Sequence, residues 1–291
     1  MGIADEIKES FKKGSVLTRL IYVNLAVFLF VRIVNVFFFL LNQEFALLSW
    51  LALPADFGQL ASKPWTLVTY MFLHFDFLHI LFNLLWLYWL GKIFLFYFDE
   101  RKLLGVYVMG GLAGGVFYLI AYNLFPAFTE VLTFSQLLGA SASVIAIVVA
   151  VAMWAPNHTI NLLFIGPIKM KYIALVSVFL YVIGIASSNA GGNLAHLGGA
   201  FWGMVYVLQY RKGKDLSKGI NNLIDGIVKF FKPKQKIKVS YKGNKSGDIE
   251  YNRNKNLKQD EINRVLEKIS KSGYDSLNKA EKELLFKMGK K

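Results

Sequence analysis

Long apolar runs separated by short polar segments dominate the first 210 residues of the chain. A helix needs about 20 apolar residues to cross the hydrocarbon core of a bilayer, with a range of about 17–25. Six segments qualify, and all six prolines fall between or beyond them, where helices are expected to end. These segments are roughly 17–40, 66–90, 103–125, 138–155, 172–188 and 193–210. The pattern predicts an all-α membrane protein with a bundle of six transmembrane helices.

The chain changes character after residue 210. Hydrophobic residues make up 55% of the whole chain. Of the 33 Lys and Arg residues, however, 22 lie between Arg211 and the end. Asn278 and Glu281 have the spacing of a helix capping box, and Gly273 can end the helix before it. We therefore expect a basic cytoplasmic tail that ends in a small helical hairpin. The predicted division begins with an N-terminal cytoplasmic segment, 1–16, and a six-helix domain, 17–210. A flexible basic linker, 211–257, and a helical C-terminal segment, 258–291, follow.

The positive residues predict the orientation of the helices. Lys and Arg residues lie in every second loop and at both ends of the predicted bundle. The remaining loops contain a single Lys or Arg, Lys63. By the positive-inside rule both termini are cytoplasmic, in a multi-pass protein of the cell (inner) membrane. The basic tail beside such a body is expected to face anionic lipid of the bilayer, with no nucleic-acid partner. The chain has no cysteine, which excludes disulfides and a cysteine nucleophile.

Polar side chains inside membrane spans are costly, so each is a functional candidate. The second predicted span contains His79 and Asn83, the fourth begins near Gly139 and Ser141, and the sixth begins near His196. These three spans run in the same direction, so their polar residues converge near the outer face. A serine hydroxyl becomes a nucleophile when a histidine takes its proton, and amide, imidazole and backbone N–H groups can stabilise an oxyanion. The set predicts acyl-transfer chemistry.

Other interpretations stay open at this point. Serines in membrane helices often bond to their own backbone, so Ser141 alone is a weak signal. A metal site could use His74, His79 and His196, but no carboxylate motif such as H-E-x-x-H accompanies them, and we expect no metal. A transporter is a third interpretation. It is weakened because the spans carry few charges and because the chain lacks two matching halves with interrupted helices.

At these residues the chain resembles the rhomboid family of intramembrane proteases. The segment from His74 to Asn83 is similar to the second-helix signature of that family, Gly139-Ala140-Ser141 to its nucleophile motif, and Ala195-His196-Leu197-Gly198-Gly199 with Gly203 to its general-base motif. Ala142, Ile145 and Thr66 depart from residues that are common in the family.

The resemblance implies a serine endopeptidase with a Ser141–His196 dyad and no aspartate. His79, Asn83 and Gly139 would surround the oxyanion and the substrate. The partners would be transmembrane proteins, cleaved near the outer membrane boundary without cofactor or metal. The alternative is a catalytically weak rhomboid-like protein that binds membrane clients without cutting them; the presence of both Ser141 and His196 favours the protease.

Overall fold

The computed structural model describes residues 2–162, 166–231 and 245–288, and most of these residues are helical. The α-helices, in chain order, are α1 Ile3–Lys13, α2 Val16–Leu40, α3 Leu47–Leu51, α4 Phe57–Ser62, α5 Thr66–Thr69, α6 Phe77–Tyr97, α7 Glu100–Leu124, α8 Ser141–Trp154, α9 Met170–Ile183, α10 Ala190–Arg211, α11 Ser217–Phe231, α12 Lys245–Ser272 and α13 Lys279–Met288. Two small antiparallel pairs complete the regular structure: β1 Leu53–Pro54 with β2 Gln136–Leu137, and β3 Thr159–Leu162 with β4 Gly166–Lys169.

Within the described ranges, α2, α6 and α7 are long and apolar enough to cross a membrane. Two shorter apolar helices, α8 and the segment Met170–Ala186, accompany them. The chain is therefore a helical protein with several apolar helices, of the multi-pass membrane type. The count of six spans stays a prediction.

The second predicted span, 66–90, differs from the structure in residues 66–76. Its beginning forms α5 and a 3₁₀ turn, Tyr70–Phe72, and the long helix starts only at Phe77. The backbone at Asp76 is extended, with φ −95° and ψ 142°. The hydropathy of residues 66–76 resembles that of a helix because most of these residues are buried or half-buried. Some of their backbone groups nevertheless bond to other segments, such as the carbonyl of Tyr70 to the N–H of Gly139.

The centre of the bundle consists of α7, α8 and α10, whose backbones approach closely through small residues. A Cβ added to Gly110 of α7 would overlap with Ala146 of α8. On α10, a Cβ at Gly203 would overlap with the carbonyl oxygen of Ala146, and one at Gly199 with that of Ala142. In lipid, where little hydrophobic force drives helices together, such small residues permit the close packing that stabilises them.

The chain after α10 differs from the flexible linker that the sequence predicts for 211–257. Helix α11 packs on α7, where Ser217 meets Gly105 and the Asn221 amide donates a 2.9 Å bond to the carbonyl of Arg101. Helix α12 already begins at Lys245, inside the predicted linker. The helical spacing of apolar residues in α11 and its polar contacts with α7 explain its order; residues 232–244 of the predicted linker lie outside the described residues.

The chain divides into two compact units, Met1–Lys232 and Pro233–Lys291. In the second unit, α12 ends before Gly273, whose φ of +76° favours glycine. The N–H of Asn278 donates to Glu281 (2.8 Å), and the N–H of Glu281 donates to the Asn278 side chain (2.9 Å). These are the reciprocal bonds of a capping box at the start of α13. Three apolar side chains of this unit are buried: Ile262, Val265 and Leu277.

Candidate active site

An open cleft of about 770 Å³ lies at the end of the bundle where α6, α8 and α10 begin. Its walls include five polar side chains on four helices: His79, Asn83, Ser141, Tyr181 and His196. The convergence of α6, α8 and α10 at one end follows from their common direction. We define this cleft as the site cleft.

Ser141 and His196 meet in the site cleft although they are 55 residues apart in the chain. The Nε2 atom of His196 lies 2.6 Å from the hydroxyl oxygen of Ser141. Ser141 is the first residue of α8, so its backbone N–H has no partner within the helix. The pair has the short distance that proton transfer from a hydroxyl to an imidazole requires.

Gly139, two residues before Ser141, is held in a conformation that favours glycine. Its φ is +127°, and a Cβ at this position would lie 2.9 Å from Cε1 of His79. Its N–H donates a 2.9 Å bond to the carbonyl of Tyr70. Any other residue here would be strained and would press on the His79 ring, so Gly139 shapes the entry into α8.

His74 contacts the same entry from the other side. Its Nε2 accepts a hydrogen bond of 3.3 Å from the N–H of Ala140, and its ring stands edge-on to that of His79, with 5.1 Å between the centroids. His74 is fully buried and fixes the backbone beside Ser141 rather than lining the cleft. No group of three or more His, Cys, Asp or Glu residues in the described ranges is arranged to hold a metal ion.

His79 and Asn83 lie one turn apart on α6 and both line the site cleft. The Asn83 amide donates a 2.9 Å bond to the carbonyl of His79, so it is turned toward its own helix. The amide nitrogen carries a second hydrogen, which can donate to an oxygen atom in the site cleft. The His79 ring lies against Gly139, two residues before Ser141.

Residues 61–213 match the family described as the Rhomboid domain. The chain belongs to the rhomboid family. It is 29% identical over 182 residues to the RHOMBOID-like protein 12, mitochondrial, of Arabidopsis thaliana, over 60% of this chain and 54% of that protein. It is also 29% identical over 166 residues to the Rhomboid protease GlpG of Yersinia pseudotuberculosis, over 57% of this chain and 55% of that protein. The chain thus spans about half the length of these curated relatives.

The second unit matches a different family. Residues 245–291 correspond to a family of unknown function, DUF6576. The match covers the described helices α12 and α13 and begins at the first residue of α12. The rhomboid domain and this C-terminal segment are therefore distinct sequence modules.

A buried polar network in the rhomboid domain supports the segment before α6, and sequence reasoning missed it. The Tyr107 hydroxyl of α7 donates a 3.1 Å bond to the carbonyl of Met71, and the Asn24 amide of α2 donates to the Tyr107 oxygen at 3.1 Å. The Tyr70 hydroxyl donates a 2.5 Å bond to the carbonyl of Gly111. Asn24, a polar residue in the first predicted span, is the signal that could have revealed this network.

Tyr181 of α9 is the second feature that sequence reasoning missed. Its ring packs on the His196 ring, with 4.3 Å between the centroids and 56° between the planes. The position one turn after Ser141 is occupied by Ile145, one of the three residues at which the sequence departs from those common in the family. Nothing in the sequence around Tyr181 distinguishes it from the apolar residues beside it.

Proposed function

We propose that the chain is an intramembrane serine endopeptidase in which Ser141 is the nucleophile and His196 the general base. The observation that carries the proposal is the 2.6 Å contact between His196 Nε2 and the Ser141 hydroxyl. Membership of the rhomboid family supports it, because one of the similar proteins is named a protease.

The site cleft suggests how such a reaction would proceed. His196 Nε2 takes the hydroxyl proton while the Ser141 oxygen attacks the carbonyl carbon of the scissile peptide bond. The negative charge that forms on the carbonyl oxygen is stabilised by the Ser141 N–H, the His79 side chain and the Asn83 amide. The proton passes from His196 to the leaving amine, and a water molecule activated by His196 then hydrolyses the acyl-enzyme.

The substrates in this proposal are transmembrane segments of other proteins, cleaved near the outer boundary of the membrane. The site cleft is open and lies among apolar helices, so a peptide could enter it in extended form. In this proposal both termini face the cytoplasm and the site cleft faces the opposite side; the distribution of positive charges among the loops supports this orientation. No cofactor or metal takes part.

A serine-directed fluorophosphonate probe tests the nucleophile without knowledge of the substrate. We expect the purified wild-type protein in detergent to be labelled and to cleave a model transmembrane substrate, and Ser141→Ala to lose both activities while it stays folded. Ser143→Ala is the matched control, because Ser143 lies on the same helix, is fully buried and lies outside the site cleft. It should be labelled like the wild type.

Two outcomes would contradict the proposal. If Ser143→Ala loses labelling while Ser141→Ala keeps it, the nucleophile is assigned wrongly. If the folded wild-type protein is neither labelled nor able to cleave, but still binds a transmembrane segment, the non-cutting alternative explains the family membership better.

A further inference from the structure

The general base of a serine hydrolase usually depends on a third group for its orientation. In a triad, a carboxylate hydrogen-bonded to the second ring nitrogen holds the imidazole in place. Here the Nδ1 atom of His196 is buried, and no side chain or backbone group of the described residues forms a hydrogen bond with it. The orientation of the ring must therefore come from packing and from its bond to Ser141.

The packing partner is the ring of Tyr181. Its centroid lies 4.3 Å from that of His196, which is contact distance for two rings tilted by 56°. Tyr181 comes from α9, whereas Ser141 comes from α8, so the imidazole lies between side chains of two helices. Rotation of the imidazole away from Ser141 is limited by the aromatic ring.

A second contact fixes the register of α9 against α10. The Asn193 amide donates a 2.7 Å bond to the carbonyl of Gly184, which follows α9. Asn193 is three residues before His196, and Gly184 is three residues after Tyr181, so each pair occupies one helix face. A Cβ at Gly184 would lie 2.5 Å from the Asn193 amide nitrogen. The bond and the ring contact therefore form one joint between the two helices.

The remainder of α9 is buried unevenly along its length. Its buried residues, Met170, Ile173 and Ala174, all lie within its first five residues, at the other end from Tyr181. The neighbouring Phe179 is 61% exposed. Near the site cleft, α9 contacts the bundle through its joint with α10 and through the half-buried Val178, with Ile185 just after the helix.

We propose that Tyr181 is a positioning residue, whose ring holds His196 in the orientation that can take the Ser141 proton. The inference rests on the proposed function, since it concerns the same dyad. The aromatic ring is what acts; the hydroxyl of Tyr181 takes no part in the reaction.

Replacement of the aromatic ring by an aliphatic side chain tests this role. Tyr181→Leu and Tyr181→Met remove the ring, Tyr181→Phe keeps it, and Phe179→Leu is the matched control on the exposed face of α9. We expect the Leu and Met variants to label with fluorophosphonate about tenfold more slowly, since a displacement of about 1 Å of a reacting group can cost roughly 10²-fold in rate. Their kcat should fall while KM for a model substrate stays close to the wild-type value.

The rescue by phenylalanine distinguishes positioning from a general loss of stability. Tyr181→Phe should label close to the wild-type rate, and Phe179→Leu should label at the wild-type rate. The thermal unfolding temperature of Tyr181→Leu should resemble that of Phe179→Leu. If the Leu variant alone fails to fold, the Met variant gives the comparison.

The two proposals fail in different ways. Wild-type labelling that depends on Ser141, together with an unchanged rate in Tyr181→Leu and Tyr181→Met, would overturn the positioning role alone. A Tyr181→Phe protein as slow as Tyr181→Leu would also overturn it, because the ring would then not suffice. A folded wild-type protein without Ser141-dependent labelling would overturn the proposed function and this inference together.

Discussion

Helices α8 and α9 have the same length and are both strongly apolar, yet they occupy different environments. Each has 14 residues. In α8, 11 of these residues are buried, whereas in α9 only three are. Hydrophobicity therefore does not decide which helix lies in the centre of this bundle.

The difference follows from the size of the side chains that face the neighbouring helices. Helix α8 carries four alanines, at positions 142, 146, 150 and 152, and it lies against glycines of both α7 and α10. Helix α9 carries larger residues, such as Phe179 and Leu180, most of which are exposed. Small residues allow α8 to be enclosed by backbones, and larger ones keep α9 at the edge.

The two helices meet the same histidine. Ser141 of α8 contacts the imidazole of His196 on one side, and Tyr181 of α9 contacts it on another. The proposed base thus contacts one helix that is almost fully buried and one that is mostly exposed. Substitutions in the two helices should therefore have effects of different size.

The largest effect is expected for Gly199→Leu, at the contact of α10 with α8. A Cβ at Gly199 would overlap with the Ala142 carbonyl and would lie 2.8 Å from Ile145, so a leucine must separate the two helices. The variant should lose fluorophosphonate labelling and unfold at a lower temperature. Gly199→Ala should show the same changes to a smaller degree, because the Cβ alone already meets backbone atoms.

The control for this prediction is Val176→Leu on α9. Val176 is 54% exposed, so an extra methylene group there meets no densely packed neighbour. A Gly199→Leu protein with the labelling rate and thermal stability of this control would show that α10 does not pack on the serine helix as described.

A smaller effect is expected for Ala146→Leu in the middle of α8. Ala146 contacts Gly110 of α7 and Gly203 of α10, so a larger side chain would push on both helices at once. Overpacking of this kind typically costs about 1–3 kcal/mol of stability. The thermal unfolding temperature should fall, and labelling should slow less than in Gly199→Leu, since Ala146 is more than one turn from Ser141. An unfolding temperature equal to that of Val176→Leu would contradict the dense packing of α8.

The smallest effect is expected for deletion of residues 232–291. Every group of the proposed reaction lies before residue 211, and α11 keeps its contact with Gly105. Labelling should continue at nearly the wild-type rate, because compact units with separate cores can fold independently. Deletion of 212–291 should lower the unfolding temperature further, since it removes Ser217 from Gly105. A folded 232–291 deletion without labelling would show that the C-terminal unit belongs to the catalytic apparatus.

The sequence by itself determined the general character of the protein. Apolar runs with prolines between them predicted a helical membrane protein, and the motifs around Ser141 and His196 predicted the family to which it belongs. The Gly139 motif and the capping box at Asn278 could be predicted from the sequence for a simple reason. Each depends on residues a few positions apart, and local backbone geometry is encoded locally.

Tertiary structure decided the details that support the site. The structure joins distant parts of the chain through the contact of Tyr181 with His196 and the bond from Tyr107 to Met71. It also shows that the second predicted span is interrupted before Phe77. Hydropathy does not encode them, because lipid is as apolar as the side chains it surrounds and gives no pattern that fixes the rotation of a helix. Which face of α9 turns toward α10 is set by the small residues and hydrogen bonds that the folded bundle brings together.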